Sequence, residues 1–475
     1  MHRNKLDGVK HTLRGLEGII EVTLLSVCYY LFWRHGYNGG IFPAYLGNGK
    51  YVLTGVYALL LIVFFRNFEG FQFGYLKLTE VLISQWIALF ITNFITYFQL
   101  CLIANKMISP VPMMLLCIAD AAVSTLFSYL ATALYHHIYM PKRMVMICGS
   151  DSAVSLKSKM DSRTDKYCIE KLVSVEEGLD SILAEIVGYD AVIINDVPAQ
   201  IRNDILKFCY KNSIRLYVTP KISDILVRGA TDICLFDTPL LLIRSKGLTL
   251  TQRMVKRVFD VILCLIALIV ASPIMLVVAI AIKCEDGGPV FYKQKRATLN
   301  GKVFDIMKFR SMIVNAEKEG VSQPATDGDP RITKVGRIIR ATRIDELPQI
   351  LNILKGDMSI VGPRPERVEH VQAYTMEIPE FEYRLKVKGG LTGYAQIYGK
   401  YNTSAYDKLR LDLMYIENYS FLLDLKLILQ TIRIILSKES TEGFKEQKSM
   451  TIAEAQKQLD FENGRVQEDN KSEDI

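Results

Sequence analysis

The chain has 475 residues, half of them hydrophobic, with a formal net charge of +7. Its mean hydropathy is positive, too apolar for an ordinary soluble protein, so membrane segments are expected within a length that allows two to four domains. The basic residues sit largely beside apolar segments, which favours anionic lipid headgroups and phosphorylated substrates as partners; nucleic acid is the weaker reading. Nine scattered cysteines without a close pair exclude a zinc or redox motif and fit a reducing compartment.

Arg3, Lys5, Lys10 and Arg14 precede an apolar run from about Leu16 to Trp33, which lacks a small-residue cleavage site and reads as a retained transmembrane helix. Further runs at about Tyr51–Phe65, Val81–Ala104 and Val111–Tyr139 make four spans, the second the shortest. Basic residues before the first span, and Lys142 and Arg143 after the fourth, put both ends on the cytoplasmic side. Glu21 and Asp120 lie inside spans, where an acid is a functional candidate; facing a neighbouring helix is the favoured alternative.

From Lys142 the pattern changes. Met144–Cys148, Ala191–Ile194 and Arg215–Val218 read as buried parallel strands, with helices near Val175–Val187 and Pro198–Asn212, giving a small Rossmann-like α/β domain over residues 142–248. Its first turn, Gly149-Ser150-Asp151-Ser152-Ala153, keeps one glycine of a dinucleotide fingerprint, so a regulatory or assembly role is favoured over nucleotide binding.

The next apolar run, Val258 to Ile282, is long enough to cross a bilayer. Ser272-Pro273 near its middle, with Lys256, Arg257 and Lys283 at its ends, also fits a helix that enters and leaves by one leaflet; from this segment alone a kinked span and a re-entrant helix both remain open. Residues Gly288 to Met312 read as strand, turn, strand and carry Arg296, Lys308 and Arg310. The polar stretch Asn315–Pro330 reads as a mobile lid.

Arg331 to Glu366 is the chemically richest stretch. Arg331, Lys334, Arg337, Arg340 and Arg343 recur at every third position alongside Ile332, Val335, Ile338 and Ile339, predicting a helix with one cationic and one apolar face. Pro348 suits the first turn of a following helix and Gly356 its end, so Asp345 and Glu346 fall at or just before a helix N-terminus. Gly362-Pro363-Arg364-Pro365 then holds one guanidinium on a stiff turn. His370 is the only histidine after residue 137, which leaves serine–histidine and histidine–metal chemistry poorly supplied. An aspartate needs no separate base to act as a nucleophile at neutral pH, and among arginines it points to phosphate chemistry. Leu411-Asp412-Leu413-Met414-Tyr415 is read as continuing the site, Phe421–Leu436 as an amphipathic helix for the membrane interface or the core, and residues 443–475 as a polar tail, disordered or loosely helical.

With these residues laid out, about Met254 to Ile435 resembles the bacterial sugar transferase family, the membrane monotopic phosphoglycosyl transferases. The matching blocks are KRVFD (Lys256–Asp260), Ser272-Pro273, GPVFYKQKR, KFRSM, DPRITKVGR, RIDELPQILNILKGDMSIVGPRP and LDLMYIENYSFLLDLKLIL. Together with the four spans and the middle domain, they resemble the large form typified by polyprenyl glycosylphosphotransferases of exopolysaccharide and capsule synthesis. Two departures stand out. Thr298 occupies the turn after GPVFYKQKR where the family usually has glycine, and Gly389 replaces the proline of the family's PGxTG turn.

The resemblance implies a multi-domain protein of the bacterial cytoplasmic membrane: a four-helix transmembrane bundle (1–141), the Rossmann-like domain (142–248), and an α/β monotopic catalytic domain (249–442) facing the cytosol, with a re-entrant helix at about 258–282. It implies transfer of a hexose-1-phosphate from a UDP-sugar to undecaprenyl phosphate, with UMP released and Mg²⁺ required. Asp345 would be the covalent nucleophile and Glu346 its partner, the two also serving as metal ligands. Arg340 and Arg364 would neutralise phosphate oxygens, with Arg296, Lys308, Arg310 and Asp412 as further substrate-binding candidates. Lys256, Arg257, Asp260, Ser272 and Pro273 belong to the re-entrant helix. Membrane lipids complete the expected partners and a homodimer is left open. A nucleotide-sugar oxidoreductase and an inactive membrane scaffold are the competing readings; the broken glycine fingerprint counts against the first and the intact Asp345-Glu346 pair against the second.

Overall fold

The structure, a computed structural model, describes residues 2–37, 48–139, 141–243, 247–314, 316, 329–400, 403–436, 451–457 and 459–460. The chain forms two compact units, Met1–Lys221 with Phe444–Ile475, and Ile222–Gly443.

The first unit opens with four helices, α1 (His2–Gly36), α2 (Gly49–Asn67), α3 (Leu78–Ala104) and α4 (Val111–Ile138). Each packs on its chain neighbour, and α1 on α4. Together with the long helix of the second unit, these are five helices long and apolar enough to cross a membrane, as fits a membrane protein. At 19 residues the second is still about 28 Å long. Glu21 and Asp120 are both fully buried. The Tyr57 hydroxyl donates to Asp120 Oδ2 at 2.7 Å and Asn93 Nδ2 donates at 3.2 Å, so α2 and α3 supply neutral donors to the acid on α4.

The rest of the first unit is β1 (Lys142–Cys148), α5 (Ser152–Asp161), β2 (Tyr167–Ser174), α6 (Leu179–Ile186), β3 (Ala191–Asn195), α7 (Ala199–Lys211) and β4 (Arg215–Val218). The strands form one parallel sheet in the order β2-β1-β3-β4. Strand alternation sends Val145 and Ile147 to the face packed by Ile182, Ile186, Ile205 and Cys209, and Met144 and Met146 to the face packed by Ala153 and Val154. Strand β2 was not anticipated. It lies at the sheet edge and mixes polar with apolar residues, so it has no continuous apolar run.

The tail was not read as part of this domain, yet residues 452–457 are helical, and Ala455 and Leu459 are buried against Met144, Ile169 and Leu172. Ile452, Ala455 and Leu459 recur at i, i+3 and i+7, a stripe too short to stand out in a polar stretch. Gln456 Oε1 accepts a hydrogen bond from Leu172 N at 2.7 Å, capping the exposed edge of β2. The remaining tail lies outside the described residues.

The second unit begins at α8 (Ile222–Arg228), ahead of the boundary expected at 248/249, because Ile222 and Ile225 pack in one core with Leu409 and Leu413. It continues with the hairpin β5 (Thr231–Leu235) and β6 (Thr238–Leu242), the long helix α9 (Leu250–Asp286), a second antiparallel hairpin of β7 (Phe291–Ala297) and β8 (Val303–Phe309), and α10 (Lys334–Ala341). A 3₁₀ turn over Ile344–Glu346 leads into α11 (Gln349–Lys355) and β9 (Ser359–Val361). After α12 (Val368–Glu377), β10 (Gly390–Thr392) pairs in parallel with β9, followed by α13 (Tyr394–Tyr398), α14 (Ala405–Glu417) and α15 (Phe421–Leu436). Helix α15 buries Leu427 in the core while Leu422 stays 72% exposed. Of the expected lid, only Ala316, Asp329 and Pro330 fall within the described residues.

Helix α9 is continuous over 37 residues, with Pro273 inside it. Proline removes the donor to the carbonyl four residues back, that of Ile269, and the Ser272 hydroxyl donates to this same oxygen at 2.9 Å. Both ends of α9 pack on the same unit. Near its start, Arg257 donates to the carbonyls of Ile353 and Leu354 at 2.5 and 2.7 Å, and Asp260 accepts from the Ser359 hydroxyl at 2.7 Å. Near its end, Val278 and Ile282 pack on Phe309 and Ile339, and Glu285 Oε1 accepts from Lys334 N at 2.8 Å. Between these anchors Ile262, Ile266, Ile269, Val270, Leu276 and Val277 are exposed.

Candidate active site

The basic segment is helical only over α10, so Lys334, Arg337 and Arg340 share the helix while Arg331 and Arg343 do not. Arg331 precedes it and pairs with Asp329; Arg343 takes a left-handed φ of 55° that turns the chain into the 3₁₀ turn carrying Asp345 and Glu346. Thr333 caps α10, its hydroxyl accepting from Gly336 N at 2.9 Å, and Glu285 from the end of α9 takes the next free amide. The carboxylates sit just ahead of α11, which Pro348 begins and Gly356, at φ 96°, ends.

Glu346 is the hub. Lys308 Nζ from β8 lies 2.7 Å from Glu346 Oε1, and Arg364 Nη2 lies 2.8 Å from the same oxygen. Burial opposes ionisation of Glu346, but the charges of Arg364 and Lys308 outweigh it and hold the carboxyl well below the usual carboxylate range. Asp345 has no hydrogen bond or ion pair of its own among the described residues. Burial pushes its carboxyl above the ordinary value; Lys308, Arg340 and Arg364 offset part of that, while the neighbouring Glu346 charge adds to it. The pair is therefore asymmetric: one carboxylate paired through a single oxygen with two cations, the other desolvated and unengaged.

The remaining candidates are already engaged within the protein. Arg296, pushed down to about 10 by burial, donates to Gln294 Oε1 and, at 3.1 Å, to the carbonyl of Pro365. It thus braces the turn next to Arg364. Arg310 is buried and binds Asp286 at the end of α9 with both terminal nitrogens. Asp412 is 1% exposed and accepts from Arg384 Nε at 2.9 Å. Arg310 and Asp412 thus differ from the expectation of direct substrate contact, since burial and an internal partner occupy both. Lys256, expected only at a helix end, forms a buried pair with Asp424 at 2.6 Å.

Arg384 was not singled out in the sequence. Its guanidinium, 2% exposed, joins Asp412 to the carbonyl of Arg364 at 2.9 Å, fixing the backbone from which Arg364 projects. The clue available was its place five residues before the Gly389-Gly390 turn. Gly149 of the middle domain proves to be a packing glycine. A Cβ there would lie 2.1 Å from the carbonyl of Asp196, so the close approach of two loops accounts for it without a phosphate.

The profile of the family described as Bacterial sugar transferase matches residues 251–438. UDP-glucose:undecaprenyl-phosphate glucose-1-phosphate transferase of Caulobacter vibrioides is 42% identical over 190 residues, 39% of this chain and 71% of the relative. The chain belongs to the bacterial sugar transferase family. Exopolysaccharide production protein ExoY of Sinorhizobium fredii is 38% identical over 200 residues, 39% of this chain and 87% of that family member. UDP-N-acetylgalactosamine-undecaprenyl-phosphate N-acetylgalactosaminephosphotransferase of Aeromonas hydrophila is 46% identical over 186 residues, 38% of this chain. The match spans 44% of that relative's own length. All the residues of the candidate site fall inside the matched segment.

Proposed function

We propose that this protein transfers a hexose-1-phosphate from a UDP-sugar to undecaprenyl phosphate, releasing UMP, as a membrane step of exopolysaccharide or capsule assembly. The observation that carries the reading is the desolvated Asp345 carboxylate beside the Lys308–Glu346–Arg364 cluster, in a chain whose relatives are named for this chemistry. An Asp345 oxygen attacks the sugar-bearing phosphorus. The bond from that phosphorus to the bridging oxygen breaks, and UMP leaves with the oxygen and its electron pair. The acyl phosphate so formed is then attacked by an oxygen of undecaprenyl phosphate, which restores the carboxylate and completes a diphosphate-linked lipid. Splitting the transfer lets a soluble donor and a membrane-buried acceptor use one site in turn.

Arg364 and Arg340 neutralise phosphate oxygens, and Glu346 orients Arg364 and Lys308. A divalent ion fits here: two adjacent carboxylates, one without a protein partner, match Mg²⁺, which binds one or two carboxylates and completes its shell with water and substrate phosphates. When bound by Asp345 and Glu346 it supplies charge neutralisation at the diphosphate.

We read α9 as a re-entrant helix that places the site at the cytosolic membrane face. A straight helix of 37 residues is about 55 Å long, and one that crossed the bilayer could not rest both ends on the same compact unit. The contacts of Arg257 and Asp260 at one end and Glu285 at the other support entry and exit on one side. The α1–α4 region is then a four-span transmembrane bundle in the cytoplasmic membrane, and the middle α/β domain has a regulatory or assembly role. Incubation of membranes with a panel of UDP-sugars and undecaprenyl phosphate tests the reading: UMP release supports phosphosugar transfer, and UDP release shows ordinary glycosyl transfer instead.

A further inference from the structure

Thr298 and Gly389 lie 91 residues apart in the chain and touch. Gly389 N donates to Thr298 Oγ1 at 3.1 Å, and the same hydroxyl donates to the carbonyl of Asp357 at 3.0 Å. Thr298 is 3% exposed, so both bonds are shielded from water. The first bond needs both groups: a residue without a hydroxyl at 298, or a proline without an N–H at 389, could not form it.

Gly389 also bears directly on the arginine turn. A Cβ added there would come within 2.5 Å of Pro365 Cγ, so the backbone at 389 lies flush against the ring beside Arg364. Its carbonyl accepts from Ser359 N at 2.9 Å, and Gly390 N donates to the carbonyl of Pro363 at 2.8 Å. The strand that holds Gly390 therefore holds the turn, and Gly389 is its first, side-chain-free link. Without an anchor, two successive glycines would leave that link the softest part of the support.

We infer that Thr298 is a positioning residue of this enzyme: its hydroxyl pins the Gly389 amide and so fixes the Pro363-Arg364-Pro365 turn. The inference rests on the proposed role of Arg364 at the substrate phosphates. It makes Thr298→Ser a silent change and Thr298→Val a damaging one, although valine is the closer match in shape. Losing the hydroxyl leaves the Gly389 amide buried with no acceptor.

The test uses the full-length protein in detergent or nanodiscs. The initial rate of UMP release and hydrogen–deuterium exchange at the Gly389 amide are compared for wild type, T298S, T298V, R364K and T298V/R364K. Thr298→Val is expected to speed exchange at Gly389 and lower kcat by roughly tenfold, with T298S near wild type in both readouts. Because Thr298 acts through Arg364, T298V should cost little further in the R364K background. Equal rates for wild type and T298V, equal damage by T298S and T298V, or multiplying losses in the double variant would each overturn the inference. A wild-type enzyme that releases no UMP would overturn the proposed reaction instead, and exchange at Gly389 would still decide whether the hydroxyl is the anchor.

Discussion

Two lysine–carboxylate pairs in the second unit, one buried and one partly buried, have nearly the same length and opposite meanings. Lys256 and Asp424 meet at 2.6 Å with side chains 8% and 3% exposed, and the Tyr415 hydroxyl donates to the second Asp424 oxygen at 2.8 Å. That arrangement is closed: one cation, one anion and a neutral donor, with each carboxylate oxygen satisfied. Lys308 and Glu346 meet at 2.7 Å with side chains 20% and 15% exposed, but two cations share one carboxylate oxygen and a second acid stands unengaged beside them. A closed pair fixes structure; an open cluster, in which two cations share one carboxylate oxygen, keeps positive charge for an anionic substrate and leaves the second carboxylate free to react. The length of an ion pair says little about its purpose, whereas the saturation of its atoms says much.

The largest expected effect falls on the open cluster. Asp345→Asn keeps the shape of the side chain but removes the nucleophile, so UMP release should fall by roughly a thousandfold or more while the protein stays folded. Labelled sugar phosphate trapped on wild type should map to Asp345. A ternary-complex kinetic pattern without a trapped adduct would show that no covalent intermediate forms.

The closed pair should respond in stability. Lys256→Met leaves Asp424 buried without its cation and should cost about 3–5 kcal/mol, read as a lower midpoint of thermal inactivation in detergent. Replacing both partners, as Lys256→Met with Asp424→Leu, should recover most of that loss, because an apolar pair leaves no buried charge. An unchanged midpoint for the single variant would show that the Lys256–Asp424 pair does not stabilise the fold. Arg364→Lys, in the open cluster, should do the reverse: a tenfold loss of rate, about 1.4 kcal/mol, with little change in stability, since a lysine cannot reproduce a planar guanidinium on a stiff turn.

The same contrast explains how much could be read from the amino acids. Asp345 and Glu346 were legible because Pro348 and Gly356 mark the ends of the helix behind them, and because Arg364 sits between two prolines. Ser272-Pro273 marked a special point in α9: the helix runs on through it, and the Ser272 hydroxyl donates to the Ile269 carbonyl that the proline leaves without its usual donor. The fates of Arg310 and Asp412 were hidden. A charge shows in sequence, but the neutralising partner lies 24 residues away for Arg310, at Asp286, and 28 residues away for Asp412, at Arg384. Edge strand β2 and the docking of the 452–457 helix on the sheet were hidden for a related reason: each buries only a few residues, and a three-residue stripe carries little periodic signal.

The smallest effect is a pH dependence, and it separates the two carboxylates of the dyad. Asp345 must be ionised to attack phosphorus, and burial raises its carboxyl above the ordinary 3.8. A raised value means the charged form is lost earlier on acidification, so the acid limb of the UMP-release profile should have its midpoint above 3.8. Glu346 moves the other way. Its depressed value keeps it charged through that whole window, and the stability it contributes is present above its ordinary 4.5 and lost only as pH falls through the lower folded value. The limb therefore reports Asp345 and not its neighbour. Lys308 lowers Asp345, so Lys308→Met should move the midpoint further upward as well as slowing the reaction. A midpoint at or below 3.8 in wild type, or a downward move in the Lys308 variant, would mean that the titrating group on which the rate depends is not the desolvated aspartate.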